Sequence, residues 1–172
     1  AAGWLGIHGM GRSQMDPRDD PFAAVEAELS ACPLREGADA IIVDMHAEAT
    51  SEKMAMGQFC DGRASCVVGT HTHVPTADAQ ILPRGTAYVT DLGMVGGRHS
   101  VIGLEVPTAV AGFTTGLPSF AQPAGGPVAV NSGLVEVDPG SGKATASKRL
   151  AYNVDLRWAD PRGIERHDPH PR

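Results

Sequence analysis

Ala40-Ile41-Ile42-Val43-Asp44-Met45-His46 and Ala64-Ser65-Cys66-Val67-Val68-Gly69-Thr70-His71-Thr72-His73 are the stretches that decide the fold. Each begins as a continuous apolar run and ends in histidine. Unbroken apolar runs of this length fit strands buried on both faces, the pattern of a parallel sheet covered by helices. The first run predicts a strand over 40–44 and the second a strand over 64–68, with Gly69 as its end. Between them, Thr50 or Ser51 can cap a helix that runs to about Asp61, with Met54, Met56, Phe59 and Cys60 facing inward and Asp61-Gly62 stopping it. Strand, helix and strand in this order predict a parallel pair and an α/β fold.

The flanking sequence extends that unit. Residues 3–11 are apolar enough for a strand, although rich in glycine. Asp16-Pro17-Arg18-Asp19-Asp20-Pro21 reads as a turn into a helix, with Asp20 as N-cap, Pro21 as first helical residue, and Phe22, Val25 and Leu29 at helical spacing. A short turn or helix is expected over 76–80, a third strand over 85–90, a helix over 107–113 and a loop over 118–127. Residues 128–137 and 143–150 read as antiparallel strands joined at Asp138-Pro139-Gly140-Ser141-Gly142.

The 172 residues, 42% hydrophobic and 20% charged, fit one domain with a sizeable core. The net charge of -6 argues against a dedicated duplex-DNA binder but not against a small phosphate-bearing substrate, because metals can supply positive charge. Cys32, Cys60 and Cys66 are odd in number and match no zinc ribbon, which fits reduced thiols and a cytoplasmic location. No apolar run reaches the ~18 residues that a membrane span needs. The chain opens Ala1-Ala2-Gly3-Trp4 without methionine, and a fragment of a longer protein is expected.

The histidines carry the chemistry. On an extended backbone, residues i and i+2 project to one side, about 7 Å apart at ~3.3 Å per residue, so His71 and His73 should leave the strand together. Imidazole suits borderline metals, and ligand-bearing strand ends are where open α/β sheets build sites. His46 at the neighbouring strand end is the third candidate. Asp44 either binds metal or orients His46, and a strand-end aspartate accepting backbone hydrogen bonds is an equal alternative. His8 and His99, in glycine-rich stretches, and His167 and His170, in the tail, are expected outside the site. Asp91 is expected to cap a loop and is left out as well. Arg12, Arg63, Arg84 and Arg98 are candidates for phosphate contact.

Several segments closely resemble signatures of the YmdB-like metallophosphoesterases, a branch of the calcineurin-like phosphoesterase superfamily. They are Ile42-Val43-Asp44-Met45-His46-Ala47-Glu48-Ala49-Thr50-Ser51-Glu52-Lys53, Val67-Val68-Gly69-Thr70-His71-Thr72-His73-Val74, Ile81-Leu82-Pro83, Gly85-Thr86-Ala87-Tyr88 and Thr90-Asp91-Leu92-Gly93-Met94. Ser100-Val101-Ile102-Gly103 and Asp19-Asp20-Pro21-Phe22 complete the likeness, which runs in order to about Leu150.

The resemblance implies a layered α/β sandwich of the metallophosphoesterase type. It also implies a centre of two metals, iron or manganese with zinc as a further option, that hydrolyses phosphodiesters such as 2′,3′-cyclic nucleotides, including RNA-derived ones. Carried over by position, His46 and His71 resemble ligands of one metal and His73 a ligand of the other. The family's early aspartate, bridging glutamate, asparagine ligand and catalytic histidine have no matching motif here, so no catalytic acid or base is identified. The expectation is therefore the C-terminal part of such a domain over 1–157 with a flexible tail over 158–172, carrying part of a site and forming homo-oligomers. The alternatives are a non-catalytic metal- or nucleotide-binding module, and a mononuclear hydrolase that adds Asp44 or Asp91 to the three histidines.

Overall fold

The computed structural model describes residues 3–16, 19–118 and 120–154. The expected tail over 158–172 lies outside these residues. Strand β1 (Trp4–Met10) leads to helix α1 (Pro21–Ala31), strand β2 (Ala40–His46), helix α2 (Thr50–Cys60) and strand β3 (Cys66–Thr70). Then come β4 (Gln80–Ile81), β5 (Ala87–Val89), β6 (Val95–Gly97), helix α3 (Val106–Thr115), β7 (Val128–Val137) and β8 (Ala144–Val154). Five strands form one sheet in the order β1-β2-β3-β5-β4, and three form another in the order β6-β7-β8. The first four of the larger sheet are parallel, β4 joins antiparallel, and the smaller sheet is antiparallel throughout. The α/β expectation and the parallel strand–helix–strand unit hold.

Alternation along β2 shows how the layers form. Ile41, Val43 and Met45 are fully buried and share one core with Val25 and Leu29 of α1 and Met56 and Cys60 of α2. The intervening Ile42, Asp44 and His46 face the other side, where Ile42 remains 41% exposed. Over β3 and β5 that second face is covered: Cys66 and Ala87 pack with Ala144 of β8, beside Val68 and Val135. The smaller sheet thus lies over part of the larger one, and β1 and β2 stay open on this side.

Helix α1 starts as expected, with the Asp20 carboxylate accepting from the amides of Phe22 and Ala23. Helix α2 starts differently. Ala49 is its N-cap and makes no side-chain capping bond, and Thr50 is already helical. Its inward stripe is Lys53, Met56, Gly57 and Cys60. Met54, expected inside, is 52% exposed because it stands one residue, about 100°, round from Lys53.

Strand β3 also begins and ends later than expected. Ser65 precedes it and bonds Ile41 N (3.1 Å) and Gly142 O (2.6 Å) through its hydroxyl. Gly69 lies inside the strand, where β3 presses against Thr90. Thr86, expected in the next strand, instead plugs the turn: its hydroxyl bonds Ala64 O (2.7 Å) and accepts from Gly62 N (2.8 Å). Residues 76–80, expected as a short turn or helix, form no helix: they bend at Ala77 and enter β4 at Gln80, while Asp78 accepts from the side chains of Thr76 and Thr90. The hairpin β7–β8 forms as expected.

The three cysteines are free, and burial pushes the thiols of Cys60 and Cys66 up to about 11, so both stay protonated at neutral pH. Among the described residues no helix is long and apolar enough to cross a membrane.

Candidate metal centre

The parallel strands β1, β2 and β3 end in register, with Met10 opposite His46 and His46 opposite Thr70. The loops that follow them gather along one edge, as ligand-binding loops do in open α/β sheets. His46, half-buried at the end of β2, is the centre of a chain of side-chain contacts there.

Its Nδ1 lies 3.1 Å from Thr70 Oγ1, and that hydroxyl donates to Asp44 Oδ1 at 2.7 Å. Because the threonine proton goes to the carboxylate, His46 Nδ1 is the donor in the first contact, and Nε2 keeps its lone pair. That lone pair meets His71 Nδ1 at 3.0 Å. His71 Nε2 lies 3.1 Å from Glu48 Oε2 on the far side. A single N–H on His71 that donates from Nε2 to Glu48 would leave the Nδ1 lone pair to join His46 Nε2 in holding a cation. Burial first, and then the neighbouring His71, hold His46 below the usual imidazole range and favour its neutral, ligating form.

The pair therefore fits part of one metal's ligand set. Two nitrogens each ~2.1 Å from a common ion would stand roughly 3–3.4 Å apart, and the 3.0 Å between the rings falls at the lower end of that range. Each outer nitrogen has a fixed partner, Thr70 for His46 and Glu48 for His71, as ligating histidines ordinarily do. His73 does not join them. It is exposed, and its Nδ1 donates to the carbonyl of Ile102 at 2.8 Å. The i, i+2 projection rule assumes extended backbone, but β3 ends at Thr70, and His71 (φ 101) and His73 (φ 67) are both left-handed. Among the described residues, no group of three or more His, Cys, Asp or Glu side chains could hold a metal ion.

The other candidates separate cleanly. Both oxygens of Asp44 are engaged, Oδ1 by Thr70 and Oδ2 by His8 Nδ1 at 2.9 Å, so it orients His46 through Thr70. His8, expected outside, stands opposite Asp44 in the β1–β2 register, its ring centre 5.9 Å from that of His46. Alternation from the buried Ile7 was the signal that could have placed it. Glu48 was missed, although it lies two residues after His46. His99 is exposed after β6. Asp91 anchors a loop, as expected, and hydrogen bonds from Lys53, Thr72 and Gly93 outweigh its burial and hold its carboxyl below the usual range.

Of the candidate arginines, Arg12 is tied to this edge: Gly11 N bonds His46 O at 2.9 Å, and the Glu52 carboxylate accepts from Arg12 N at 2.9 Å. Its guanidinium lies 3.4 Å from Asp20 and is about half exposed. Arg63 and Arg84 precede β3 and β5 at the opposite edge, paired with Glu26 and Asp61.

A family model described as YmdB-like protein matches residues 5–150. A curated 2′,3′-cyclic-nucleotide 2′-phosphodiesterase of Bacillus subtilis is 42% identical over 149 residues, which is 87% of this chain and 56% of that protein. A putative phosphatase/phosphodiesterase of Mycoplasma pneumoniae is 38% identical over 133 residues, 77% of this chain and 46% of that protein. The chain thus spans about half the length of these relatives. Among solved structures, a hypothetical protein from Thermus thermophilus matches with a TM-score of 0.79 and 46% identity, covering 87% of this chain and 57% of that one. A phosphatase from Mycoplasma pneumoniae matches with a TM-score of 0.79 and 33% identity, covering 92% and 55%.

Proposed function

Because the chain belongs to the YmdB-like family, we propose that it serves metal-dependent hydrolysis of phosphodiesters, with His46 and His71 holding one metal. The observation that carries this reading is the 3.0 Å approach of His46 Nε2 to His71 Nδ1, with Thr70 and Glu48 behind the two rings. 2′,3′-Cyclic nucleotides are the proposed substrate class, after the Bacillus relative's name. Iron or manganese is the proposed metal, with zinc compatible with imidazole donors. When bound, such an ion supplies Lewis-acid stabilisation of phosphate oxygens and lowers the pKa of its water. His73, with its Nδ1 held by Ile102, would serve a second metal through Nε2.

The chain's own residues do the positioning. Asp44 and Thr70 fix the tautomer of His46, and Glu48 orients His71. Arg12 is the proposed phosphate contact, since its planar fork matches phosphate oxygens and its backbone is tied to the end of β2 and to α2. Imidazoles neutralise no cationic charge, so the carboxylates of a binuclear centre come from residues other than these histidines. Cytoplasmic location belongs to the same reading and is supported by the free cysteines. So does self-association, supported by the exposed Phe113 and Leu117 on and after α3.

A second reading, a non-catalytic metal-binding module, draws on His73 standing apart from the pair. Metal content and hydrolysis of 2′,3′-cyclic AMP, measured on one purified sample, separate the two. Bound metal that His46→Ala releases, together with hydrolysis, is the expected result. Bound metal without hydrolysis favours the second reading, and neither metal nor hydrolysis overturns both.

A further inference from the structure

Lys53 Nζ and Asp91 Oδ2 form an ion pair at 2.7 Å, with 0% and 1% of the two side chains exposed. Burying two charges costs more than their attraction returns unless every remaining polar group is satisfied. Here the carboxylate is fully used. Oδ2 also accepts from Thr72 N at 3.2 Å and from Thr72 Oγ1 at 2.7 Å, and Oδ1 accepts from Gly93 N at 2.8 Å.

The place of this pair is informative. Thr72 is the residue between His71 (φ 101) and His73 (φ 67), two non-glycine residues in left-handed backbone. Such strain persists only where the surroundings over-determine the conformation, and it clusters at functional sites. Asp91 grips Thr72 twice, at its amide and at its hydroxyl. Lys53 reaches Asp91 by passing β3 at Gly69, where an added Cβ would stand 2.7 Å from Lys53 Cδ. A charged side chain thus occupies the inward position of α2, and the far end of its contacts is the histidine loop.

We propose that the buried Lys53–Asp91 pair is a positioning device: by gripping Thr72 it imposes the left-handed turn that aims His71 Nδ1 at His46 Nε2. The inference rests on the reading of that histidine pair as metal ligands. Neither Lys53 nor Asp91 hydrogen-bonds to His46 or His71, and the pair grips the histidine loop through Thr72.

The test uses Thr72→Val, which removes the hydroxyl grip at a half-buried loop residue, and Thr72→Ser, which restores it. Mn2+ affinity, the thermal midpoint and the His71 imidazole 15N shifts of the metal-free protein are measured for each. The expected result is Mn2+ binding weakened tenfold to a hundredfold in Thr72→Val, the range seen when outer partners of metal ligands are lost. Thr72→Ser should return to within a few fold of the parent, with midpoints moving little in either variant. A purely structural ion pair would not separate affinity from midpoint in this way. Unchanged Mn2+ affinity in Thr72→Val overturns the proposal. If the parent binds no Mn2+, the metal reading fails, and the imidazole shifts decide the positioning role alone: altered His71 shifts in Thr72→Val sustain it, and unaltered shifts overturn it.

Discussion

On the proposed metal-dependent reading, His71→Ala is expected to weaken metal binding and abolish phosphodiester turnover while leaving the fold intact. The donor set at this edge rests on two facing nitrogens, His46 Nε2 and His71 Nδ1. Removing one takes away half of the imidazole pair proposed for that metal. Loss of an outer hydrogen-bond partner alone costs 10–100-fold in affinity or activity, so loss of a ligand should cost at least ~100-fold in each. The fold should persist, because His71 lies in a loop after β3 and is about one-third exposed. Metal analysis of the purified variant, with the rate of 2′,3′-cyclic AMP hydrolysis, checks this. Full metal occupancy with an unchanged rate would remove His71 from the site.

Gly69→Ala should be the most damaging small substitution in the sheet. The added Cβ would stand 1.7 Å from the Thr90 carbonyl oxygen and 2.7 Å from its carbon. Neither side yields easily. Gly69 O accepts from Leu92 N at 3.0 Å, and Thr90 is tied by Asp78 at its amide and hydroxyl. Relief requires β3 to part from the segment after β5, which also loosens Asp91 from Lys53. Overpacking ordinarily costs 1–3 kcal/mol, and a backbone obstacle puts this site at or above the upper end, about 3 kcal/mol or more. For a chain of this size that is a fall of roughly 6–12 °C in the thermal midpoint. A loss under ~1 kcal/mol in denaturant unfolding would mean that the two strands have slack.

The local parts of this fold were legible, and the parts made by distant partners were not. Asp20-Pro21 announces α1 because an N-cap and a proline act within one turn. The run from Ala40 announces β2 because burial on the helix side selects its residues one by one. Lys53 is different: its inward position makes sense only with Asp91, 38 residues away. Met54 was placed inside by hydropathy alone, and helical geometry gave that face to the lysine. Their strand-end positions were enough to bring His46 and His71 to one edge, but the expectation that His71 and His73 project together presumed extended backbone, which both residues leave. His8 needed the parallel register with Asp44, which no single segment contains. Glu48 is close in sequence to His46, yet its partner, His71, is contributed by another loop.

The parallel register that gathers these loops also sets an order of assembly. Every pairing beneath the site spans a long stretch of chain, Ile42 with Cys66 and Trp4 with Ala40, whereas Val137 pairs with Ala144 across one tight turn. Chain-closure entropy is paid before distant pairings return anything, so the β7–β8 hairpin can form within about 1–10 μs while the parallel strands wait for their helices. Pulse-labelled hydrogen exchange during refolding should find amides of β7 and β8 protected first and those of β2 and β3 later. The reverse order would mean that the helices drive collapse. In the expected order, the histidine edge exists only once the slowest pairings are complete, so a newly made chain presents His46 and His71 to each other only at the end of folding.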